Sequence, residues 1–328
     1  MNTDEEVIKL KSKVSRLYTH LGLEEDPPPP PSTLPLPRFL GSMLSSPIGD
    51  HFAFNPQIYK DGKYLQYCVK DGRVWLAVSN NGVAAWTYYP TNAPLGSIRY
   101  ENGIWLGNAH RWIPGIGLAE TLSYGSEDGT AWSQTALDRN QTCGEDRNLL
   151  WDQEAQIWRC YIRIQPKPRA IGYMESRNGR IWSRMRTIIT PTSDDILNKK
   201  QYYHLSVIKT PMGYFGLLNV YRVGNAGQDV EQAPPYTAQE HTIQVYLIHS
   251  ATGDFTLWRK LNNAEPFLKG QSTTQQQFAW WSVIGDKARI VDAVSDRKHT
   301  TYENQNVNGR YYSSGCWEIA LTDLYQHL

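Results

Sequence analysis

Ser126-Glu127-Asp128-Gly129-Thr130-Ala131-Trp132 spells a tight β-turn followed by a large aromatic residue. Glycine takes positive φ without a Cβ penalty, and Asp or Asn tolerates it while bonding back to the turn backbone. Asp-Gly or Asn-Gly between β-rich runs therefore marks a hairpin connection. The same pattern recurs at Ser79-Asn80-Asn81-Gly82 to Trp86, Ser176-Arg177-Asn178-Gly179 to Trp182 and Ser250-Ala251-Thr252-Gly253 to Trp258. Each tryptophan can fold back over its hairpin and give the copy one large apolar surface. Gly82 and Gly129 are 47 residues apart and Gly129 and Gly179 are 50 apart, spacings that mark repeat architectures. The 74 residues from Gly179 to Gly253 are the same unit carrying an inserted loop.

Composition supports an all-β body. Of 328 residues, 12% are aromatic, with 20 Tyr and 12 Trp, and only 20% are charged, which suits pleated, half-buried surfaces. The formal charge of +1, with no basic block interleaved with aromatics, argues against nucleic acid as a partner. There is no eighteen-residue apolar run and no charged-then-apolar leader, so neither membrane insertion nor a secretory signal is expected. The four cysteines, Cys68, Cys143, Cys160 and Cys316, lack metal-type spacing. Three of them sit in strand-like runs as small hydrophobes, so neither a disulfide, a metal site nor any cofactor is expected, and synthesis in a reducing cytoplasm suits them.

Five units follow one another from about residue 45, each passing through β-type runs to its turn. The first uses 63–68 and 74–78, the second 103–106 and 120–124, and the third 158–163 and 170–174. The fourth uses 204–208, 214–218 and 243–248, and the fifth 280–284, 288–291 and 317–321. The fifth stops seven residues after Leu321 with no turn-tryptophan and no fourth strand. An open sheet edge invites aggregation, so a strand from the other terminus should complete it, and Arg38-Phe39-Leu40-Gly41-Ser42-Met43-Leu44 is the candidate. The expected fold is an all-β, five-bladed β-propeller over 38–328, or a six-bladed one if 90–114 hides a degenerate unit.

Residues 1–23 differ from the rest. Val7, Leu10, Val14, Leu17 and Leu21 are spaced 3, 4, 3, 4, an oligomerising coiled-coil seam. Thr3 with Glu6 forms a capping box and Gly22 supplies a stop. The alternative is an amphipathic helix docked on its own domain or a neighbour. Residues 24–37 include five consecutive prolines, Pro27 to Pro31, and form a stiff extended linker.

The turn 126–132 resembles the Asp-box of sialidases, shortened by one residue. A wider pattern runs from Asp146 through Tyr161-Ile162-Arg163, Ile171-Gly172, Glu175 to Gly179 and Trp182-Ser183. It continues through Asp195, Tyr203, Ser206-Val207, Leu247, Ser250 and Trp258-Arg259 to Gly315-Cys316-Trp317-Glu318-Ile319-Ala320-Leu321. This is similar to the five-bladed propellers of glycoside hydrolase families 43 and 32, a resemblance that specifies blades and leaves catalysis open. The helix, stiff spacer and head resemble in layout a bacteriophage fibre or receptor-binding protein. That layout implies a homo-oligomer at the virion surface, contacting other virion proteins and a host-surface carbohydrate. The trimer expectation comes from the fibre layout, whereas valine at a and leucine at d favour a dimer. The alternatives are a glycoside hydrolase and a non-catalytic structural or decoration protein of a virion.

A propeller hydrolase places carboxylates at the inner ends of several blades, one as general acid and one as base or nucleophile. Asp50, Asp146 and Asp195 are the catalytic candidates, with Asp152 and Asp194 nearby in sequence. Asp194-Asp195 also reads as a helix cap or Asx-turn. Arg147, Arg163 and Arg222 match no sialidase-type arginine spacing. The candidate ligand-binding residues are Arg147, Tyr202, His204, Trp280 and Trp281. Adjacent residues on a strand face opposite sides, so one ring of each aromatic pair should leave its own layer. Burial of both rings between blades is the competing expectation.

Overall fold

The computed structural model describes residues 34–44, 52–70, 73–113, 118–142, 144–164, 168–223, 241–254, 257–261, 265–268, 276–295 and 313–328. The coiled-coil seam Val7, Leu10, Val14, Leu17 and Leu21 and the five prolines lie outside them. Leu36–Leu328 form one compact unit. Among the described residues no helix is long and apolar enough to cross a membrane.

The unit is a ring of five antiparallel blades. Blade one comprises β2 (Phe52–Ala53) and β3 (Ile58–Lys60), both pairing with β4 (Lys63–Lys70), then β5 (Arg73–Ser79) and β6 (Thr87–Pro90). Blade two comprises β7 (Ser97–Glu101), β8 (Ile104–Ile113), β9 (Leu118–Ser126) and β10 (Trp132–Thr142). Blade three comprises β11 (Gly144–Asp152), β12 (Ile157–Ile164), β13 (Ala170–Ser176) and β14 (Arg186–Ile189). Blade four has β15 (Lys200–Thr210), β16 (Gly213–Arg222), β17 (Thr242–Ser250) and β18 (Arg259–Lys260). Blade five has β19 (Gln276–Ile284), β20 (Lys287–Ser295) and β21 (Ser313–Ala320), completed by β1 (Arg38–Leu44). The six-bladed alternative is thereby excluded, because residues 97–113 supply the first two strands of blade two. His110 and Arg111 lie within β8.

Each recurrent turn joins the third and fourth strands of its blade. Asp128 Oδ1 accepts from the Thr130 and Ala131 backbone N–H groups, and Ser126 Oγ from that of Gly129. The Ala131 and Thr130 bonds hold the Asp128 carboxyl well below the usual carboxylate range. Gly82, Gly129, Gly179 and Gly253 all have φ between +68° and +83°, which explains the invariant glycine of the four copies.

Closure proceeds as the open fifth unit demands. β1 pairs antiparallel with β21, Arg38 opposite Glu318 and Leu44 opposite Ser314. Five apolar clusters fill the five gaps between blades. Tyr67 and Trp105 lie in the gap between blades one and two, Leu106 and Trp158 in the next, and Tyr161 and Tyr202 in the third. Phe215 and Trp281 fill the fourth, and Met43, Cys68 and Cys316 close the circle between blades five and one. A blade is thus buried on both faces, and Cys68, Cys160 and Cys316 are enclosed thiols within strands.

Candidate functional site

The innermost strands, β2/β3, β7, β11, β15 and β19, surround the propeller axis. A polar side chain on or beside each reaches its neighbour. Asn55 Oδ1 accepts from Ile98 N at 2.7 Å, Ser97 Oγ from Leu149 N at 2.9 Å and Asn148 Oδ1 from Val207 N at 3.1 Å. Ser206 Oγ accepts from Trp281 N at 3.2 Å, and Ser282 Oγ donates to the Gln57 carbonyl at 2.7 Å. Inner strands leave one backbone edge unpaired toward the axis, and these side chains satisfy it. The result is a polar girdle linking all five blades in sequence order.

Above the girdle, where the inner strands begin, two candidates meet and a third lies on a neighbouring inner strand. His204 of β15 and Trp280 of β19 have ring centroids 5.6 Å apart, inclined at 56°. His204 is buried, and Trp280 keeps part of its surface accessible. Arg147 of β11 donates through one Nη to Asn108 Oδ1 and Thr121 Oγ1 of blade two, both at 2.9 Å. Burial pushes its guanidinium below the ordinary arginine value. Asp146 precedes it in β11, where the register shifts between Glu145 and Asn148. Asp50 lies outside the described residues. Between blades three and four at the same end, Arg163 stands 4.0 Å and Arg169 5.3 Å from the Tyr203 ring centroid.

Three candidates are corrected. Asp195 is the N3 residue of helix α1 (Ser193–Leu197), with a reciprocal capping box to Thr192. It also accepts from Tyr202 Oη at 2.6 Å and Lys260 Nζ at 2.7 Å. Burial raises its carboxyl, but Lys260, Tyr202 and Thr192 outweigh this and bring it down to about 2. It is a structural anchor beside blade four. Tyr202 is its buried partner, packed between blades three and four and offering no ligand surface. Trp281 is fully enclosed between blades four and five, its indole N–H on the Ser206 carbonyl at 2.9 Å. The pair Trp280-Trp281 divides as strand alternation requires, and only Trp280 is accessible.

Among the described residues four carboxylates are buried, Asp152, Asp195, Asp292 and Glu318, and each is engaged. Asp152 takes Arg159, Lys209 and Tyr214. Asp292 takes Gln277, Gly315 N and Trp317, and burial raises its carboxyl. Glu318 takes Arg38, Lys287 and Arg289. The exposed Asp194 accepts from Asn198. The girdle was not read from the sequence, although Ser97-Ile98, Asn148-Leu149, Ser206-Val207 and Ser282-Val283 repeat one pattern, a polar residue before a branched apolar one, in four of the five blades.

No protein-family model matches the sequence, and no curated protein matches it. Solved structures do match the fold. A thermostable family-43 glycoside hydrolase superposes with a TM-score of 0.57 at 12% identity, covering 84% of this chain and 91% of its own. An N-acetylgalactosamine deacetylase from F. plautii, in complex with blood group B trisaccharide, gives 0.57 at 10% identity, covering 89% and 96%. A family-43 endo-arabinanase from Bacillus licheniformis gives 0.55 at 10% identity, covering 84% and 96%. The fold resembles the five-bladed propellers of glycoside hydrolases.

The expectation of a virion fibre or receptor-binding protein is overturned by these matches. The likeness runs to enzymes that act on carbohydrates, and nothing in the described propeller indicates a fibre. The layout behind that expectation rested on residues 1–37, of which 1–33 lie outside the described ones. The glycoside hydrolase alternative fits the fold better.

Proposed function

We propose that this chain is a glycosidase-type enzyme whose site is the upper end of the propeller axis, above the girdle. The observation that carries it is the meeting of His204 and Trp280, from two different inner strands, beside the strand that bears Asp146 and Arg147. The accessible part of Trp280 is an apolar platform for the C–H face of a sugar ring. His204, packed against the same indole, and Arg147, tied to Asn108 and Thr121, hold the floor beneath it in place. Asp146 on β11 and Asp50, just before β2, are the carboxylates assigned to the chemistry. One protonates the departing glycosidic oxygen and the other acts as nucleophile or activates water. A separation of about 5–5.5 Å gives retention and about 6.5–9.5 Å gives inversion.

The test is release of reducing ends from a panel of aryl glycosides and polysaccharides, arabinan included, with anomeric products followed by NMR. Asp146→Asn should lower turnover on a cleaved substrate at least about a hundredfold while leaving the thermal midpoint in place. Trp280→Ala should raise KM more than it lowers kcat. Glycan binding with no cleavage by the unaltered chain would overturn the proposal.

A further inference from the structure

Below the girdle, on the side away from His204 and Trp280, the C-terminal ends of four inner strands leave a cavity of about 480 Å³. Small-molecule sites typically occupy about 300–1,000 Å³. Arg99 and Glu101 of β7 both line it, two residues apart on one strand and so on the same face. Trp151, Lys209, Ser282 and Val283 also contribute to its wall.

Arg99 is the informative group. It is 5% exposed, and its Nε donates to the Leu149 carbonyl at 2.6 Å, which fixes the guanidinium plane. Its Nη2 is buried with no protein acceptor. A buried donor left unmatched costs a desolvation penalty, so the site favours an acceptor brought by a ligand. Glu101 is not within ion-pairing distance of Arg99, and burial raises its carboxyl against the lowering effect of that guanidinium.

Charge selects the ligand class. The wall carries two cations, Arg99 and Lys209, and two anions, Glu101 and Glu154. Lys209 is already held by Asp152 at 2.6 Å and Glu154 at 2.7 Å. An ionic guest would upset this balance in a partly desolvated setting, whereas a neutral guest would not. A neutral guest must accept from Arg99 and donate to Glu101, and adjacent hydroxyl groups do both. The apolar surfaces of Trp151 and Val283 complement the C–H face of such a molecule. We propose that this lower cavity is a second binding site, for a neutral polyol of sugar size, with Arg99 as donor and Glu101 as acceptor. It does not depend on the upper site being catalytic.

The probes are glucose, galactose, mannose, xylose and arabinose, with glucuronate as the charged counterpart. Binding is measured by calorimetry and saturation-transfer NMR on the full chain and on a His204→Ala/Trp280→Ala double variant that disables the upper site. The expected result is saturable binding of at least one neutral sugar in both proteins. Glu101→Ala should weaken it roughly tenfold at an unchanged thermal midpoint. Arg99→Lys should weaken it further, and because Arg99 is buried the half-buried Glu101 keeps the test independent of folding. The proposal is overturned if no neutral sugar saturates the double variant, if glucuronate binds more tightly than the neutral sugars, or if Glu101→Ala leaves binding intact. Unimpaired hydrolysis by the double variant, or none by the unaltered chain, with sugar binding retained would sink the upper-site proposal and leave this one standing.

Discussion

The hydroxyl of Tyr67, on the second strand of blade one, donates to the carbonyl of Gly129 in the turn of blade two at 2.6 Å. The same carbonyl takes the Trp132 indole N–H at 2.9 Å. Tyr161 and Gly253 repeat the link between blades three and four at 2.7 Å. The recurrent turn is therefore a local hairpin and also a tie between neighbouring blades. Its glycine carbonyl is free for this because the turn's own bonds use side chains and N–H groups.

Tyr67→Phe should destabilise the propeller by about 1 kcal/mol, the usual net worth of a buried neutral hydrogen bond. The loss is modest because Trp132 keeps the carbonyl satisfied. Tyr161→Phe, at a different interface, should cost a similar amount, and the double variant should show the sum. Urea titrations with unchanged slope check this.

Gly253→Ala should be costly where Gly62→Ala is tolerated. Both glycines have positive φ, +71° and +76°. A Cβ at Gly253 would collide with the Tyr214 ring, whereas at Gly62 it meets open space. The conformational penalty alone is about 1–2 kcal/mol, so Gly62→Ala should lose that much and Gly253→Ala distinctly more. Paired denaturation curves give the difference.

Truncation tests the closure. A chain beginning at residue 36 retains β1 and should keep the thermal midpoint of the propeller, since the compact unit starts there. A chain beginning at residue 45 loses β1, exposes the edge of β21 and removes Met43 from the core between blades five and one. It should melt many degrees lower and aggregate on size-exclusion chromatography.

Acid should loosen blade four through Asp195. Its folded pKa of about 2 lies below the ordinary aspartate value near 3.9, so the unfolded chain binds more protons between these limits. The stabilisation is complete above pH ~4 and is lost as pH falls toward ~2. Asp195→Asn should be less stable at neutral pH and flatter across that window. Asp152, which Lys209, Tyr214 and Arg159 hold lower still, keeps a residual slope in the variant. Denaturant midpoints measured from pH 2 to 7 check the sign.

The blades could be read from the chain because their signals are local. A positive-φ glycine, an Asx side chain bonded back to its own turn and a tryptophan a few residues on need no distant partner, so all four turns stand where the wording places them. Strand β1 was also legible, since a sheet with three strands and an exposed edge demands a fourth. The site was less so. Asp195 and Tyr202 looked like funnel residues until the fold placed them in a helix cap and a blade interface. Trp280 and Trp281 are neighbours of identical chemistry, and only the alternation of β19 against two different blades separates an accessible ring from an enclosed one.

What the amino-acid order determined on its own is the repeating unit and the need for a closing strand, because hairpins and β-alternation are short-range. What only the tertiary structure decided is the axis. The girdle from Asn55 to Ser282, the meeting of His204 with Trp280 and the cavity beneath Arg99 each join strands some 40 to 225 residues apart. Such contacts exist only once five blades have turned their inner edges toward one line.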